Sequence, residues 1–503
     1  MAVSDPDSGQ RASKSGVSGF VERGFRGSVA GSGGGGLLVR RLASEQDALT
    51  TLDTIIGGLD GLARADFVPC DARFNLISEL DRDVGAIVEY LIGHCAFADV
   101  EPHHRCAPAV LRLRDAYGAL LDAYQRCAEV CGQRPDHVDW SRACHLGLVG
   151  AAGERIKWER LAGGPAHPDL WSWIGKAFLS STGSGVTLPD ARCVVAGATE
   201  DPIKRGFLRA VALSSAGFEQ LHPSLLQPLD RLVDLCLPAV SLEKRPQADV
   251  TRALDAEISA APRRVMRVAD ADPDGWFFST RFAAQALHAF TEGLRHGVVP
   301  PELEKLGVSR SLISATVKHL HRQWSGDSPR RRHRRHCVSG PLSVAVGMVE
   351  VWRLFDSGYV PDAAGCRFSD VSRGGVGAML PATLAESLPV GEIVAVRPHD
   401  GGAWHVGLVR RTWQENERDT RVGLQTLSMA PSLARVDDGS RSIDVLLCDV
   451  VQKGEALRFI VHNDLLRFDA PLFLTHQGSV YKLRALEIGA TGEGFELWAC
   501  QVL

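Results

Sequence analysis

The residues best suited to chemistry lie in two short stretches of the C-terminal half. The first is SPRRRHRRHCV, residues 328–338, which places five arginines in six positions. The second is FSDVSRGGVGAML, residues 368–380, where Asp370, Ser372 and Gly375 form a D-x-S-x-x-G pattern. An arginine fork binds phosphate through paired charge-assisted hydrogen bonds and stacks on flat rings. A carboxylate and a hydroxyl add directional hydrogen bonds, and a glycine permits a tight turn and close approach of a ligand. The two stretches together predict a local anion site.

The arginines can be paired at four-residue spacing in two ways. One pairing is Arg331 with Arg335, and the other is Arg330 with Arg334. The sequence leaves both open. A run of like charges usually marks a solvated linker, so its function depends on what faces it.

The elements that follow the arginine run are predicted to be strands. After about residue 337 apolar and polar residues alternate with period two between glycines, aspartates and prolines, which is typical of antiparallel β-structure. The clearest segments are PLSVAVG at 341–347, EIVAVRP at 392–398, WHVGLVRRT at 404–412 and RVGLQTL at 421–427. They predict a barrel or sandwich. Further strands make 433–503 a β-rich extension, which could complete that barrel, form a second one or provide an interaction surface.

The preceding region is predicted to be helical. From 45 to 325 apolar residues recur at spacings of three and four, as in NLISELDRDVGAIVEYLIGH at 75–94. Residues 1–40 are rich in Gly, Ser and Arg and contain GSGGGG, a composition typical of a disordered tail. The predicted fold class is therefore α+β and multidomain, with an all-α region before the β-region.

Charge and hydropathy exclude some protein classes. A net charge of -4 argues against a protein that coats nucleic acid, so an anion site must be local and a nucleic-acid partner is not expected. No apolar run approaches the roughly 20 residues that cross a bilayer, and the N-terminus lacks a signal-peptide core. A cytoplasmic location is the expectation.

The twelve cysteines predict reduced, mostly buried thiols rather than a metal site. The chain contains no CxxC pair. The densest group of metal-ligand types comprises His94, Cys95, His103, His104 and Cys106, with Cys127 and Cys131 on the helix that follows. Neither a metal nor a cofactor is predicted.

The order R-x-x-x-R and then D-x-S-x-x-G resembles the two-part signature of the PilZ domain. The strand that begins after Gly391-Glu392, followed by HVGLVRR and VGLQTL, is also similar to a PilZ barrel. The resemblance covers about 328–432, with an insertion expected around 355–368. It implies a PilZ-like antiparallel β-barrel between the helical domain at 45–325 and the extension at 433–503.

The resemblance also implies a ligand and a function. PilZ domains bind cyclic di-GMP, whose two phosphates suit arginine and whose guanine edge suits an aspartate. The implied ligand-binding residues are Arg330, Arg331, Arg334, Arg335, Asp370, Ser372 and Gly375. The implied protein is a non-enzymatic bacterial signalling receptor. Its ligand would fold a mobile arginine linker onto the barrel and move the helical domain, and a protein partner would respond.

Two alternatives remain open. A PilZ fold that has lost its ligand would be a scaffold for protein interactions. The segment LEKLGVSRSLISATVKHL, residues 303–320, resembles a helix-turn-helix of bacterial repressors, although a helical hairpin capped by Ser309 is favoured. An enzyme is not expected, because the sequence lacks a Walker loop, a G-x-S-x-G elbow and H-E-x-x-H.

Overall fold

The chain forms two compact units. The computed structural model describes residues 42–64, 68–94, 108–182, 201–221, 225–244, 252–265, 272–325, 334–360, 365–385 and 388–503. The first unit contains most of the described residues up to 325, and the second contains the described residues from 334 onward together with 159–167. Helices precede a β-rich region, so the predicted α+β class is confirmed.

The first unit begins with long amphipathic helices. The first, α1, buries Ala48, Leu52, Ile55, Leu59 and Leu62, whose spacing of three and four residues places them on one face. Both α1 and α2 pack against α3, and α5 packs against α6. The helices are α1 (Glu45–Arg64), α2 (Cys70–His94), α3 (Pro108–Gly132), α4 (Val138–Ala162), α5 (Leu170–Thr182), α6 (Pro202–Ser215) and α7 (Leu226–Cys236).

A small sheet, which the sequence did not predict, lies within the region expected to be helical. Its strands are β1 (Ser241–Glu243), β2 (Arg252–Leu254), β3 (Arg263–Arg264) and β4 (Trp276–Ser279), in the order β1-β4-β2-β3. The strands are two to four residues long, and every residue of β4 is buried. Strands this short, or buried on both faces, cannot show the period-two alternation that predicts the other strands of this chain.

The last helices of the first unit do not form a helix-turn-helix of ordinary length. After α8 (Arg281–Arg295), α9 (Pro301–Glu304) has only four residues, and α10 spans Arg310–Trp324. The Ser309 hydroxyl accepts a hydrogen bond from the Leu312 amide at 3.3 Å, as an N-cap does. The inner face of α10 packs on α7 and α8. This is the capped hairpin that the sequence favoured.

The second unit opens with a seven-stranded antiparallel sheet of order β5-β7-β8-β11-β10-β9-β6. Its strands are β5 (His336–Cys337), β6 (Leu342–Val346), β7 (Arg367–Ser372), β8 (Gly375–Pro381), β9 (Ile393–Pro398), β10 (His405–Gln414) and β11 (Asp419–Ser428). The Leu342 amide donates to Cys366 O at 2.9 Å, and the Phe368 amide donates to Gly340 O at 2.9 Å. These bonds connect the start of β6 to the start of β7, so β6–β11 form a ring.

Two short helices belong to this sheet region. Helix α11 (Gly347–Ser357) follows β6, and α12 (Ala382–Ala385) follows β8. The sequence placed an insertion around 355–368, whereas the helical segment between the arginine run and Asp370 begins earlier, at Gly347.

The C-terminal strands form a second, closed six-stranded barrel of order β12-β13-β14-β17-β16-β15. Its members are β12 (Ser432–Asp437), β13 (Ser442–Leu447), β14 (Ala456–Val461), β15 (Leu472–His476), β16 (Ser479–Gly492) and β17 (Phe495–Val502). Of the three possibilities left open for 433–503, the structure has the second barrel. One buried cluster joins the two β-structures through α11, with Val351, Leu408, Leu446 and Phe495 among its members.

Among the residues that the structure describes, no helix is long and apolar enough to cross a bilayer.

Candidate ligand site on the outer face of the seven-stranded sheet

The end of the arginine run enters the sheet beside the D-x-S-x-x-G motif. Strand β5 pairs antiparallel with β7, which places His336 opposite Val371 and Cys337 opposite Asp370. Arg334 is exposed at the start of this segment. Arg330 and Arg331 lie outside the described residues, so the structure does not decide between the two arginine pairings.

Arg335 and Asp370 form an ion pair. The Arg335 guanidinium donates from Nη1 to Oδ1 of Asp370, and their side chains are 21% and 23% exposed. Two residues from separate parts of the predicted motif are therefore in direct contact. Both groups remain within reach of solvent and are thus accessible to a ligand.

A β-bulge at Ser369 sets the direction of the Asp370 side chain. Phe368 pairs with Ala378 and Asp370 with Gly377, so Ser369 is an extra residue in β7. Phe368 and Val371 both pack against the core of the sheet, which strict alternation would forbid at a spacing of three. The bulge moves Asp370 and Ser372 together to the outer face. Bulges often redirect a side chain in this way next to functional sites.

Ser372 and Gly375 shape the hairpin between β7 and β8. Ser372 pairs with Gly375, and the Ser372 hydroxyl donates to Gly375 O at 3.2 Å. A Cβ on Gly375 would lie 2.3 Å from the carbonyl oxygen of Leu424 on β11. The glycine is therefore needed for the close approach of two strands. This differs from the sequence interpretation, in which it admitted the ligand to the backbone.

Two further glycines lie beneath the side chains of Asp370 and Arg411. Gly377 and Gly423 are directly paired between β8 and β11. A Cβ on Gly377 would lie 2.7 Å from Asp370 Oδ2, and a Cβ on Gly423 would lie 2.6 Å from Arg411 Nε. The Asp370 and Arg411 side chains thus each extend across a glycine. The two glycines, both buried, therefore leave room for a carboxylate and a guanidinium to lie close to the backbone of the sheet.

The basic side of this site comes from β10. Arg410 is exposed and donates from Nε to Gln425 Oε1 at 2.6 Å, and Arg411 is exposed beside it. A bulge lies between Val409 and Arg411. The sequence analysis missed Arg410, Arg411 and the two glycines. The signal was present in the RR of WHVGLVRRT and the glycine of RVGLQTL, but their pairing depends on strand order.

One comparison with known proteins concerns the first unit. Residues 41–249 match the family model described as the N-terminal domain of the cyclic-di-GMP receptor FimW. No curated protein and no solved structure matches the chain. The match ends before the arginine run, so it is independent of the motif and does not test the resemblance to PilZ. Over residues 41–249 the chain is thus similar to the N-terminal domain of a cyclic-di-GMP receptor.

Proposed function

We propose that this chain is a non-enzymatic receptor for cyclic di-GMP and that the ligand binds on the outer face of the seven-stranded sheet. The observation that carries the proposal is the contact between Arg335 and Asp370. The family match over 41–249 adds support from another part of the chain. A PilZ identity for 328–432 is part of the proposal.

The groups at this site suit each part of the ligand. Guanidinium groups at Arg335 and Arg411 would bind phosphate oxygens bidentately. The Asp370 carboxylate would accept hydrogen bonds from N1 and N2 of a guanine. The missing Cβ atoms at Gly377 and Gly423 let the Asp370 and Arg411 side chains lie flat on the sheet, where both would face the ligand.

The position of residues 334–337 refines the proposed response. The sequence predicted a linker at 328–336 that is mobile without ligand, yet its last residues already lie along β7. Instead, Arg335 and Asp370 exchange partners when the ligand binds. A phosphate of the ligand replaces the Asp370 carboxylate at Arg335, and a guanine of the ligand then binds Asp370. The proposed consequence is a movement of the helical unit that a cytoplasmic protein partner recognises.

The test is isothermal titration of the full chain with cyclic di-GMP, with GTP as a control ligand. Arg335→Ala and Asp370→Ala should each weaken binding about thirtyfold or more, because losing one partner of a partly buried charge pair costs about 2 kcal/mol or more. A matched control is Arg435→Ala, which removes the ion pair with Asp444 at 2.9 Å on the second barrel and should leave affinity unchanged.

A second pair of variants separates the two arginine pairings. If Arg331→Ala weakens binding more than Arg330→Ala, the pairing is Arg331 with Arg335. If Arg330→Ala weakens binding more, the pairing is Arg330 with Arg334. A folded wild-type chain that does not bind cyclic di-GMP would contradict the proposal. In that case the Arg335–Asp370 pair would be a structural contact of a protein-interaction scaffold.

A further inference from the structure

Four cysteines from three helices converge in the first unit. Cys70 is the first residue of α2, Cys127 and Cys131 lie on one face near the end of α3, and Cys144 lies in α4. All four are buried, with relative exposures of 3%, 0%, 0% and 0%. The sequence grouped Cys127 and Cys131 with His94, Cys95, His103, His104 and Cys106 instead of Cys70 and Cys144, and it favoured buried core thiols because no CxxC pair is present.

The sulfur atoms lie at distances that suit a shared metal ion. The Sγ atoms of Cys127 and Cys131 are 4.0 Å apart. The Sγ atoms of Cys127, Cys131 and Cys144 all lie within 4.8 Å of one another. In a tetrahedral zinc site with Zn–S bonds of about 2.3 Å, ligand sulfurs are roughly 3.8 Å apart. Small side-chain rotations would bring the three thiols to that geometry.

Two residues are available as a fourth ligand. Cys70 Sγ, Cys131 Sγ and a ring nitrogen of His137 also lie within 4.8 Å of one another. Nδ1 of His137 is buried and has no hydrogen-bond partner in the part of the chain that the structure describes. Nε2 of the same ring lies 3.4 Å from the Asp136 carboxylate. A carboxylate that orients a histidine is common around metal sites.

Cysteines can be buried in a protein core without lying close to one another. Cys236, Cys366, Cys448 and Cys500 are also buried, and within the described ranges none of them belongs to a group with metal-binding distances. Zinc is the divalent ion that three thiolates with a fourth sulfur or imidazole ligand favour.

We propose that Cys127, Cys131 and Cys144 bind a structural zinc ion, with Cys70 or His137 as the fourth ligand. Each thiol that coordinates the ion releases one proton, and no oxidant or reductant is required. The ion would join the start of α2, the end of α3 and the first half of α4. The site lies within the residues that match the receptor-family model, and it does not depend on ligand binding at the sheet.

The first test is the metal content of the full-length chain, purified under reducing conditions and freed of loosely bound metal. Elemental analysis should give one zinc per chain. A chromogenic zinc chelator should then release that zinc together with three or four newly reactive thiols. A wild-type chain that contains no zinc and retains none after incubation with zinc chloride would overturn the proposal, as would a disulfide among these cysteines.

Variants assign the ligands. Cys127→Ser, Cys131→Ser and Cys144→Ser should each lose the zinc, whereas Cys236→Ser, a buried thiol on α7, should retain it. Between Cys70→Ser and His137→Ala, only the variant that removes the fourth ligand should lose it. If a variant does not fold, substitution of cobalt in the wild-type chain gives an independent answer, since tetrahedral thiolate ligands produce intense visible bands. Octahedral cobalt spectra would overturn the proposal.

Discussion

We expect Lys157→Met to be among the most destabilising single substitutions in the first unit. Lys157 lies on α4 with its side chain 4% exposed. Its ammonium lies 2.5 Å from Glu154 Oε2 and 3.1 Å from Asp230 Oδ2. Arg209 on α6 bonds the same two carboxylates at 3.2 and 2.7 Å and also Asp234 at 2.7 Å. Two cations therefore face three carboxylates, and the network connects three helices.

The magnitude follows from the charge balance. Without the ammonium, Arg209 alone faces three carboxylates, and removal of one partner from a buried ion pair costs about 3–5 kcal/mol. Asp234→Asn is the matched control, because it leaves two cations and two carboxylates. Asp234 is 33% exposed and its amide keeps the shape of the side chain, so about 1 kcal/mol is expected.

The network also predicts the effect of pH. Burial would raise the pKa of Asp230, but the attraction of Lys157 and Arg209 outweighs it and holds that pKa below the ordinary value of 3.8. A lowered folded-state pKa contributes stability that is present above the unfolded pKa and lost as pH falls through the folded pKa. The cost of Lys157→Met should therefore be greatest near neutral pH and shrink below about pH 4.

The assay is urea unfolding followed by far-ultraviolet circular dichroism, because most of the helices lie in the first unit. The midpoint and the slope are compared for wild type, Lys157→Met and Asp234→Asn. An equal or larger loss in Asp234→Asn, or a loss below about 1 kcal/mol in Lys157→Met, would refute this reading of the network.

Three further predictions concern other parts of the chain. Gly377→Ala should weaken cyclic di-GMP binding at least tenfold in calorimetry, while Gly489→Ala, whose Cβ meets only Leu497 O at 3.8 Å, should not. Burial lowers the pKa of His319, so stability should fall as pH drops below about 6.5, and His319→Gln should flatten that dependence in chemical unfolding. Ser309→Ala should cost about 1 kcal/mol in the same assay, because it removes the N-cap of α10. Equal stabilities for Ser309→Ala and wild type would show that the cap is not formed.

The alternation of apolar residues was sufficient to predict the main strands of the first sheet. EIVAVRP at 392–398 contains β9 (Ile393–Pro398), and RVGLQTL at 421–427 lies within β11 (Asp419–Ser428). Strand β9 is a continuous apolar run buried on both faces, whereas β11 keeps exposed residues between its buried ones, so each strand's own residues report its burial. The D-x-S-x-x-G motif could also be found from the sequence, because its residues lie in one contiguous segment and no partner strand is needed to recognise it.

Features that depend on a partner strand or helix were not predictable. The bulge at Ser369 exists only relative to β8, and the need for Gly375 arises from the carbonyl of Leu424. Gly377 and Gly423 become neighbours only once the strand order is known. Likewise, Cys127 and Cys144 meet because α3 and α4 are folded together, which the spacing in the sequence does not reveal.

The buried cluster shared by the two β-structures limits how this chain can be divided or recombined in evolution. Ile393 and Leu408 from the first sheet, Met348 from α11, and Ile460 and Phe495 from the second barrel all belong to it. A gene break at the short connection between β11 and β12 would expose an apolar face on each product. The two β-structures should therefore be inherited, duplicated and transferred as one unit, and a fragment that ends near residue 432 should aggregate.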